Sequence, residues 1–367
     1  MGSWLSIFGK CLLHIFLLPV KVLASFLFYI LYRPAIVFDK NKYLSYTPTD
    51  MESKLKSLKE NLPIDNYMSD GDGGKFLGLA YASCKDKRMW DALSQLLYKD
   101  KTFLRAPWTE DYDRKAFSGD MWAGMFPAIL TAIECGHATP EQKKQIAKII
   151  EYTIFKEKTF VFKHPTEKDQ DRGFAFPFWS MCSNFFDVIT MCYINEKLTK
   201  EFKYKFLRYV FTVIGFPTMI CLRQGFFISH VYALNFFTEH SALVKAYYVY
   251  KLLGYKFLKK PLLRHCKDNP WFADSAKFIF DIDGDFELYN LHLYDYLNTN
   301  TIETIPNSWR FEYLSLKGFE KKPNYSKFAL PYRFRTGGKY IDDSKPMEPK
   351  PYVQKNRNAD IIHLYNW

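Results

Sequence analysis

Most of the chain alternates between helix-like apolar segments and polar breaks rich in Gly or Asp. From residue 63 to residue 297, apolar positions recur every three or four residues, which is the period of an α-helix. The segments come in pairs, in which a first helix rich in small and aromatic residues precedes a return helix that carries more Lys and Glu. FSGDMWAGMFPAILTAIECG and TPEQKKQIAKIIEYTIF form one such pair, and Thr139 and Pro140 mark the start of its second helix. The pattern predicts helical hairpins with the first helices inside and the return helices outside.

The polar residues that open the first helices recur at a regular spacing, roughly every 50 residues. They are Asp72, Asp120, Asp171, Asn235 and Asp283. This spacing fits one helix, a short turn, a return helix and a longer loop, so it predicts stacked hairpins. If the hairpins form a ring, the loops that precede the first helices meet at one end of it.

Two of these loops have almost the same sequence. DYDR at 111–114 and DQDR at 169–172 both lead through phenylalanine into an apolar helix, as in FSGDMWAGMF and DQDRGFAFPFW. Asp-bearing loops before Gly- and aromatic-rich inner helices resemble the (α/α) toroid proteins of the six-hairpin glycosidase kind. The resemblance covers residues 63–297. It implies an all-α fold, an (α/α) toroid of five to six hairpins, with a carbohydrate cleft at one end and hydrolase or lyase chemistry.

Residues 11–32, CLLHIFLLPVKVLASFLFYILY, form the one long apolar run of the sequence. As a helix, a run of this length is sufficient to cross a bilayer. Pro19 and Lys21 interrupt it, so both a kinked single span and an interfacial helix are compatible with the sequence. We expect a membrane anchor, with a signal peptide or a buried apolar helix as the alternatives. Flanking charges favour a cytoplasmic body, and the first residues, MGSWLS, fit the N-myristoylation pattern.

The chain therefore divides into four predicted segments. Residues 1–33 are the membrane anchor, 34–62 a linker with a polar helix, and 63–300 the toroid of helical hairpins. Residues 301–367 are an irregular C-terminal extension, rich in proline and charge. Its last residues, IIHLYNW, are apolar enough to dock back on the body.

Charge and composition narrow the class of partner. The formal net charge is +12, and aromatic residues make up 19% of the chain. A basic protein suits an anionic partner, which includes anionic lipid and acidic polysaccharide. Zinc-finger, basic-zipper and RNP-type motifs are absent from the sequence, so we expect no nucleic-acid partner. The seven cysteines have neither a CxxC pair nor a disulfide-like spacing, which argues against a structural zinc site.

Glycoside hydrolysis supplies the first chemical hypothesis. It needs a carboxylic acid that protonates the leaving oxygen and a carboxylate that acts as base or nucleophile. The candidate catalytic residues are Asp113, Asp120, Asp171 and Glu239. The alternatives are structural: Asp120 caps the helix that follows it, and Glu239 with His240 forms a satisfied polar pocket in an aromatic core.

A ligand-binding set surrounds these carboxylates in the sequence. Its members are Arg114, Trp122, Arg172, Trp179, Tyr232, Asn235 and His240. The aromatic residues suit sugar rings, and Tyr232, Asn235 and Glu239 share one helix face by their spacing. Lyase chemistry is the close alternative. A Tyr232 or His230 base would then remove a proton, and the two arginines would neutralise the substrate carboxylate.

We expect no cofactor, although DIDGDFE (281–287) places Asp281, Asp283 and Asp285 at the alternating positions of a calcium loop. It lacks the EF-hand glycine at the sixth loop position and the terminal glutamate, so a solvated loop is the preferred interpretation. A second functional hypothesis also stays open. In it the chain is a non-catalytic, membrane-associated structural or interaction protein, such as a component of a virion or another large assembly.

Overall fold

The computed structural model describes residues 51–68, 73–107, 117–157, 185–220, 236–268 and 273–285, together with Pro19, Tyr289, Ala359 and residues 362–365. Over these ranges the chain is almost entirely helical, which confirms the all-α class. The α-helices are α1 (Met51–Glu60), α2 (Ile64–Met68), α3 (Gly73–Cys84), α4 (Lys87–Leu93), α5 (Gly119–Glu134), α6 (Pro140–Tyr152), α7 (Phe185–Thr199), α8 (Phe202–Ile220), α9 (Phe236–Leu253), α10 (Lys259–Asp268) and α11 (Ala273–Asp283).

Shorter elements connect some of these helices. A 3-10 turn (Ser94–Leu96) leads into a small antiparallel ribbon of β1 (Leu97–Tyr98) and β2 (Thr102–Phe103). A π-helical turn (Thr153–Glu157) extends α6, and a 3-10 turn (Lys256–Leu258) precedes α10.

The helices form consecutive hairpins in two layers. The first helices α3, α5, α7 and α9 pack against one another, and the return helices α4, α6, α8 and α10 pack on their neighbouring first helices. Residues 121–132 of α5 are all buried, whereas α6 alternates between buried isoleucines and exposed charged residues. The predicted inner and outer layers are thus present in these four hairpins.

Helices α3 and α5 lie parallel and unusually close. Gly74 lies beside Met121, and one turn further along both helices Gly78 lies against Gly124. A methyl group on Gly78 would come within 2.6 Å of the Gly124 carbonyl oxygen, and one on Gly124 would overlap the Lys75 backbone. Glycine at both positions therefore permits the close backbone approach.

Helices α5 and α7 also run in the same direction. Near the start of both, the Trp122 indole N–H donates to Thr190 Oγ1 at 2.8 Å. At their far ends, Lys197 Nζ lies 3.0 Å from Glu134 Oε1. The contact nearer the start of α5 is also nearer the start of α7, and the later contact is later in both helices, so the two helices are parallel.

The same order holds between α7 and α9. Asp187 near the start of α7 pairs with Lys245, and further along Tyr193 donates from its hydroxyl to the Leu252 carbonyl at 3.2 Å. The four first helices α3, α5, α7 and α9 therefore run parallel, and the chain enters all of them at the same end of the body. We call this end the entry end.

Helix boundaries follow local capping signals. Thr139 caps α6 through a complete capping box with Gln142, and Pro140 is the first helical residue, as predicted. The cap of α5 is Ser118, whose hydroxyl accepts from the Met121 N–H, and Asp120 lies inside the helix. The interpretation of Asp120 as a helix cap is therefore wrong, because the hydroxyl two residues earlier takes that position.

Asp283 is the final residue of α11, and Gly284 follows with a φ of 78°. Most of the helix predicted to start near Asp283 lies outside the described ranges. Tyr289, the one described residue of that segment beyond Asp285, is helical, and its N–H donates to the Asp285 carbonyl at 3.3 Å. A glycine in the left-handed region ends a helix without steric cost. Gly254 ends α9 in the same way, as its sequence position predicted.

The end of the chain docks on the body, as its apolar composition predicted. Ala359, Ile362, His363 and Leu364 are buried, and the Ala359 N–H donates to the Tyr67 hydroxyl at 3.0 Å. At the other end of the chain, Pro19 is the one described residue of 11–32, so the predicted anchor lies outside the described ranges. None of the helices within those ranges is long and apolar enough to cross a membrane.

Candidate functional site

Three of the predicted site residues lie in described helices near the entry end. Asp120 is the second residue of α5, and Glu239 and His240 are the fourth and fifth residues of α9. Because α5 and α9 are packed together and share one direction, these backbone positions belong to the same end of the body.

The remaining catalytic and binding candidates lie outside the described ranges, apart from Trp122. They are Asp113, Arg114, Asp171, Arg172, Trp179, Tyr232 and Asn235. By chain connectivity they belong to the segments that lead into α5, α7 and α9.

Trp122 occupies the core. Its side chain is 0% exposed, and its ring lies 5.4 Å from that of Phe103 and 6.3 Å from that of Phe126, centroid to centroid. Its indole N–H is already bound to Thr190 Oγ1. Trp122 was predicted to bind a sugar ring, but in this position it packs in the core and offers no surface to a ligand.

A buried ion pair joins the first turn of α7 to the middle of α9. Asp187 Oδ1 and Lys245 Nζ are 2.6 Å apart, and each side chain is 1% exposed. Asp187 lies in the first turn of α7, where the helix dipole favours a negative charge. Thr190, one turn later, donates to the Phe186 carbonyl at 2.7 Å and accepts from Trp122. Trp122 and Thr190 thus link α5 to α7, and the Asp187–Lys245 pair links α7 to α9.

A second polar cluster lies between α9, α11 and the end of the chain. At its centre is Lys277, which is almost fully buried and lies 3.4 Å from the carbonyl oxygen of Tyr365. Burial lowers the pKa of Lys277 to about 8, and the neighbouring Asp281 only partly counteracts this. A lysine with so low a pKa loses its charge at mildly alkaline pH.

Asp281 is the carboxylate that most groups in this cluster share. The Tyr247 hydroxyl donates to it, and Lys251 Nζ lies 3.1 Å from its Oδ2. Burial raises the pKa of Asp281, but Lys277, Tyr247 and Lys251 together outweigh it, so the pKa lies below its usual range. The pKa of Tyr247 is raised well above normal by burial and by the Asp281 charge.

His363 connects this cluster to α3. Its Nε2 is 2.9 Å from Asp274 Oδ1, and its Nδ1 is 3.1 Å from Ser83 Oγ. Although Ser, His and Asp are the members of a hydrolytic triad, two contacts oppose that role. The Ser83 hydroxyl donates to the His363 carbonyl at 2.9 Å, and the Leu79 carbonyl lies 3.2 Å from Nδ1. A nucleophilic serine must donate its proton to a ring nitrogen, whereas the Ser83 hydroxyl donates to a backbone carbonyl. The contact between Ser83 and His363 therefore attaches the end of the chain to α3.

The acidic segment considered for calcium is engaged by lysines. Asp281 pairs with Lys251, and Asp283 Oδ1 lies 3.5 Å from Lys259 Nζ. Across the part of the chain that the structure describes, no group of three or more His, Cys, Asp or Glu side chains is placed to hold a metal ion.

Asp187, Lys245 and Lys277 were not among the residues predicted from the sequence. Each is a single charged residue within an apolar helical segment, in FFDVITM, ALVKAYY and SAKFIF. A lone charge on an otherwise apolar helix must find a buried partner or have a shifted pKa, and this signal was available before the fold was known.

No family model, curated protein or solved structure matches this chain. Its function is therefore inferred from its residues and their geometry.

Proposed function

We propose that the chain is a membrane-anchored, glycan-active protein, either a glycoside hydrolase or a polysaccharide lyase. Its cleft would lie at the entry end of an (α/α) toroid, as the resemblance to the six-hairpin glycosidases implies. One observation supports this most: α3, α5, α7 and α9 run parallel, so their preceding loops all join the body at one end.

Chain connectivity supports an assignment of the candidate residues to that end. DYDR at 111–114 leads into α5, and DQDR at 169–172 leads into α7. Asp120 and Glu239 stand in the first turns of α5 and α9. Carboxylates brought together in this way are the minimum requirement for glycoside hydrolysis.

Electrostatics favour an anionic glycan at this end. The start of a helix carries a partial positive charge, and four parallel helices present four such starts together. The chain also has a formal net charge of +12. Together with Arg114 and Arg172, this charge suits the carboxylates of an acidic polysaccharide.

The two chemistries assign different roles to the same residues. In hydrolysis, one of Asp113, Asp120, Asp171 and Glu239 protonates the glycosidic oxygen while a second activates water or attacks the sugar. In a lyase, Tyr232 or His230 removes the proton next to the substrate carboxylate, and Arg114 and Arg172 stabilise the charge that develops. Residues 11–32 would hold either enzyme at a membrane.

A non-catalytic structural or interaction protein at the membrane is the second candidate. It is favoured by the engagement of several described carboxylates: Asp187 and Asp281 pair with lysines, and Asp274 pairs with His363. Carboxylates held in this way contribute to the packing of the helices and are not available as acids or bases.

A release assay separates these candidates. The full chain in detergent or vesicles is incubated with a panel of neutral and acidic polysaccharides. New reducing ends alone indicate hydrolysis, and an ultraviolet-absorbing unsaturated product indicates a lyase.

Asp120→Asn and Glu239→Gln should each lower turnover by at least about 100-fold if they act as acid or base. Asp91→Asn, in an exposed α4 pair with Lys87, is the matched control and should retain full turnover. Absence of product across the panel would favour the non-catalytic candidate.

A further inference from the structure

Helix α8 exposes a row of large apolar side chains. Their exposed fractions are Phe202 74%, Phe206 48%, Tyr209 52%, Val213 68% and Phe216 43%. Isolated exposed hydrophobic residues are ordinary, but a contiguous row on one helix marks a surface that contacts something else. We call these five residues the α8 stripe.

The stripe follows a regular helical geometry. Its members are separated by four, three, four and three residues, which places them on one face of the helix along about 21 Å. The opposite face, with Leu207, Phe211 and Ile214, is buried against the body. The position of α8 is thus set by its buried face, and the stripe is not needed for the hairpin to pack.

Basic side chains border the stripe. Lys205 is exposed on α8 itself. At the other end, the Phe216 ring lies 5.1 Å from that of Phe257, and the chain around Phe257 carries exposed Lys256 and Lys260, while Lys259 pairs with Asp283. Near Phe202, Lys203 Nζ lies 2.8 Å from Glu151 and 2.7 Å from Glu201, so this lysine offsets part of the acidic charge beside the stripe.

Apolar and aromatic side chains bordered by lysines are the combination that binds an anionic lipid surface. The aromatic rings enter the boundary between headgroups and acyl chains, and the lysines contact the phosphates. The same chain carries the apolar run 11–32, and residues 33–50 span at most about 65 Å when fully extended, so the body would stay near a bilayer entered by that run.

We propose that the α8 stripe is a second membrane contact, through which the folded body lies on an anionic bilayer surface. It uses the membrane association proposed above but does not depend on glycan chemistry. A second copy of the chain is the other occupant that the spacing of the stripe fits, since coiled coils use the same four-three repeat. In a dimer joined by this face, the lysines of one copy (Lys205 and the Lys256–Lys260 group) would lie against lysines of the other and repel them. An anionic lipid surface would attract these same lysines.

Photo-crosslinking of the full chain identifies the occupant directly. Phe206→p-benzoylphenylalanine retains an aromatic ring in the stripe, and Lys144→p-benzoylphenylalanine places the same group on the exposed face of α6. Both proteins are irradiated in vesicles of phosphatidylcholine with a minority of phosphatidylserine and analysed by mass spectrometry. We expect phospholipid adducts at position 206 and few at position 144. A crosslinked dimer, an adduct within the chain, or equal lipid adducts at both positions would overturn the proposal.

A charge test accompanies this experiment. In the Phe206 photo-probe protein, Lys256→Gln and Lys260→Gln together remove the basic border of the stripe at this end, and Lys259 is kept because it pairs with Asp283. The yield of lipid adduct should fall, by up to about fivefold per lysine, in vesicles containing phosphatidylserine. In pure phosphatidylcholine the yield should be unchanged by these substitutions. Equal yields with and without the lysines in phosphatidylserine vesicles would contradict the anionic surface. Because neither experiment measures turnover, both can fail while the glycan assay succeeds, and the reverse also holds.

Discussion

Helices α6 and α8 hold the same place in successive hairpins but present different surfaces. Both are return helices, and both pack on α7 through buried aliphatic or aromatic side chains. The outer face of α6 carries exposed Glu141, Lys144, Lys148 and Glu151, whereas the outer face of α8 carries the stripe. The comparison shows that the hairpin repeat constrains only the buried face of a return helix. The outer face is available for a partner, and α8 differs from α6 there.

The largest expected effect separates the two faces of α8. Phe211→Ala removes a fully buried ring and should lower the free energy of unfolding by about 3–5 kcal/mol. Phe206→Ala removes a half-exposed ring and should change it by no more than about 0.5 kcal/mol. Chemical denaturation of both variants measures the difference. Similar losses from the two substitutions would mean that the stripe is covered by the chain itself.

The second prediction concerns the buried Asp187–Lys245 pair between α7 and α9, which lie beneath the return helices. Asp187→Ala leaves Lys245 buried without its carboxylate and should cost about 3–5 kcal/mol of unfolding free energy. Lys148→Ala on α6 breaks the exposed pair with Asp100 and should cost at most about 1 kcal/mol. If the two variants melt at the same temperature, the buried pair does not stabilise the contact between α7 and α9.

The third prediction is a pH dependence that the surface lysines of α6 should lack. The pKa of Lys277 is about 8 in the folded protein, below its ordinary value of 10.5. Between these values the unfolded chain binds the extra proton, so this lysine destabilises the fold at neutral pH and the penalty is relieved as the pH rises through that window.

Lys277→Met should therefore reduce the gain in stability between pH 8 and pH 10 that the unsubstituted protein shows, since methionine carries no proton to release. Thermal unfolding at the two pH values measures this gain. Lys148→Met is the matched control and should preserve it. A Lys277→Met protein with the original pH dependence would show that Lys277 keeps its charge in the folded state.

The sequence predicted the helical layers well because their signals are local. The capping box at Thr139, the proline that follows it and the glycine stop at Gly254 all act within one or two turns of backbone. Gly284, which follows the last residue of α11, is a stop of the same local kind.

The candidate site was harder to predict because burial depends on packing between distant segments. Trp122 was a candidate for sugar binding because it is aromatic, but it packs against the rings of Phe103 and Phe126 in the core. The Asp187–Lys245 pair joins residues on separate hairpins, and no local pattern specifies such a partner. The stripe on α8 could not be predicted as exposed. Apolar residues at helical spacing predict a face that is buried in the body, and here that face is exposed.

A shared cleft requires that the loops leading into the first helices meet at one end of the body. A spin-labelled noncanonical residue at positions 114 and 172 allows the distance between DYDR and DQDR to be measured by pulsed electron resonance on the full chain. Cys135, exposed at the far end of α5, offers a reference position for the opposite end. Helix α5 is about 24 Å long. We predict that the 114–172 distance is clearly shorter than the distance from 114 to a label at 135. A 114–172 distance as long as that reference would place the two loops at opposite ends of the body and contradict the shared cleft.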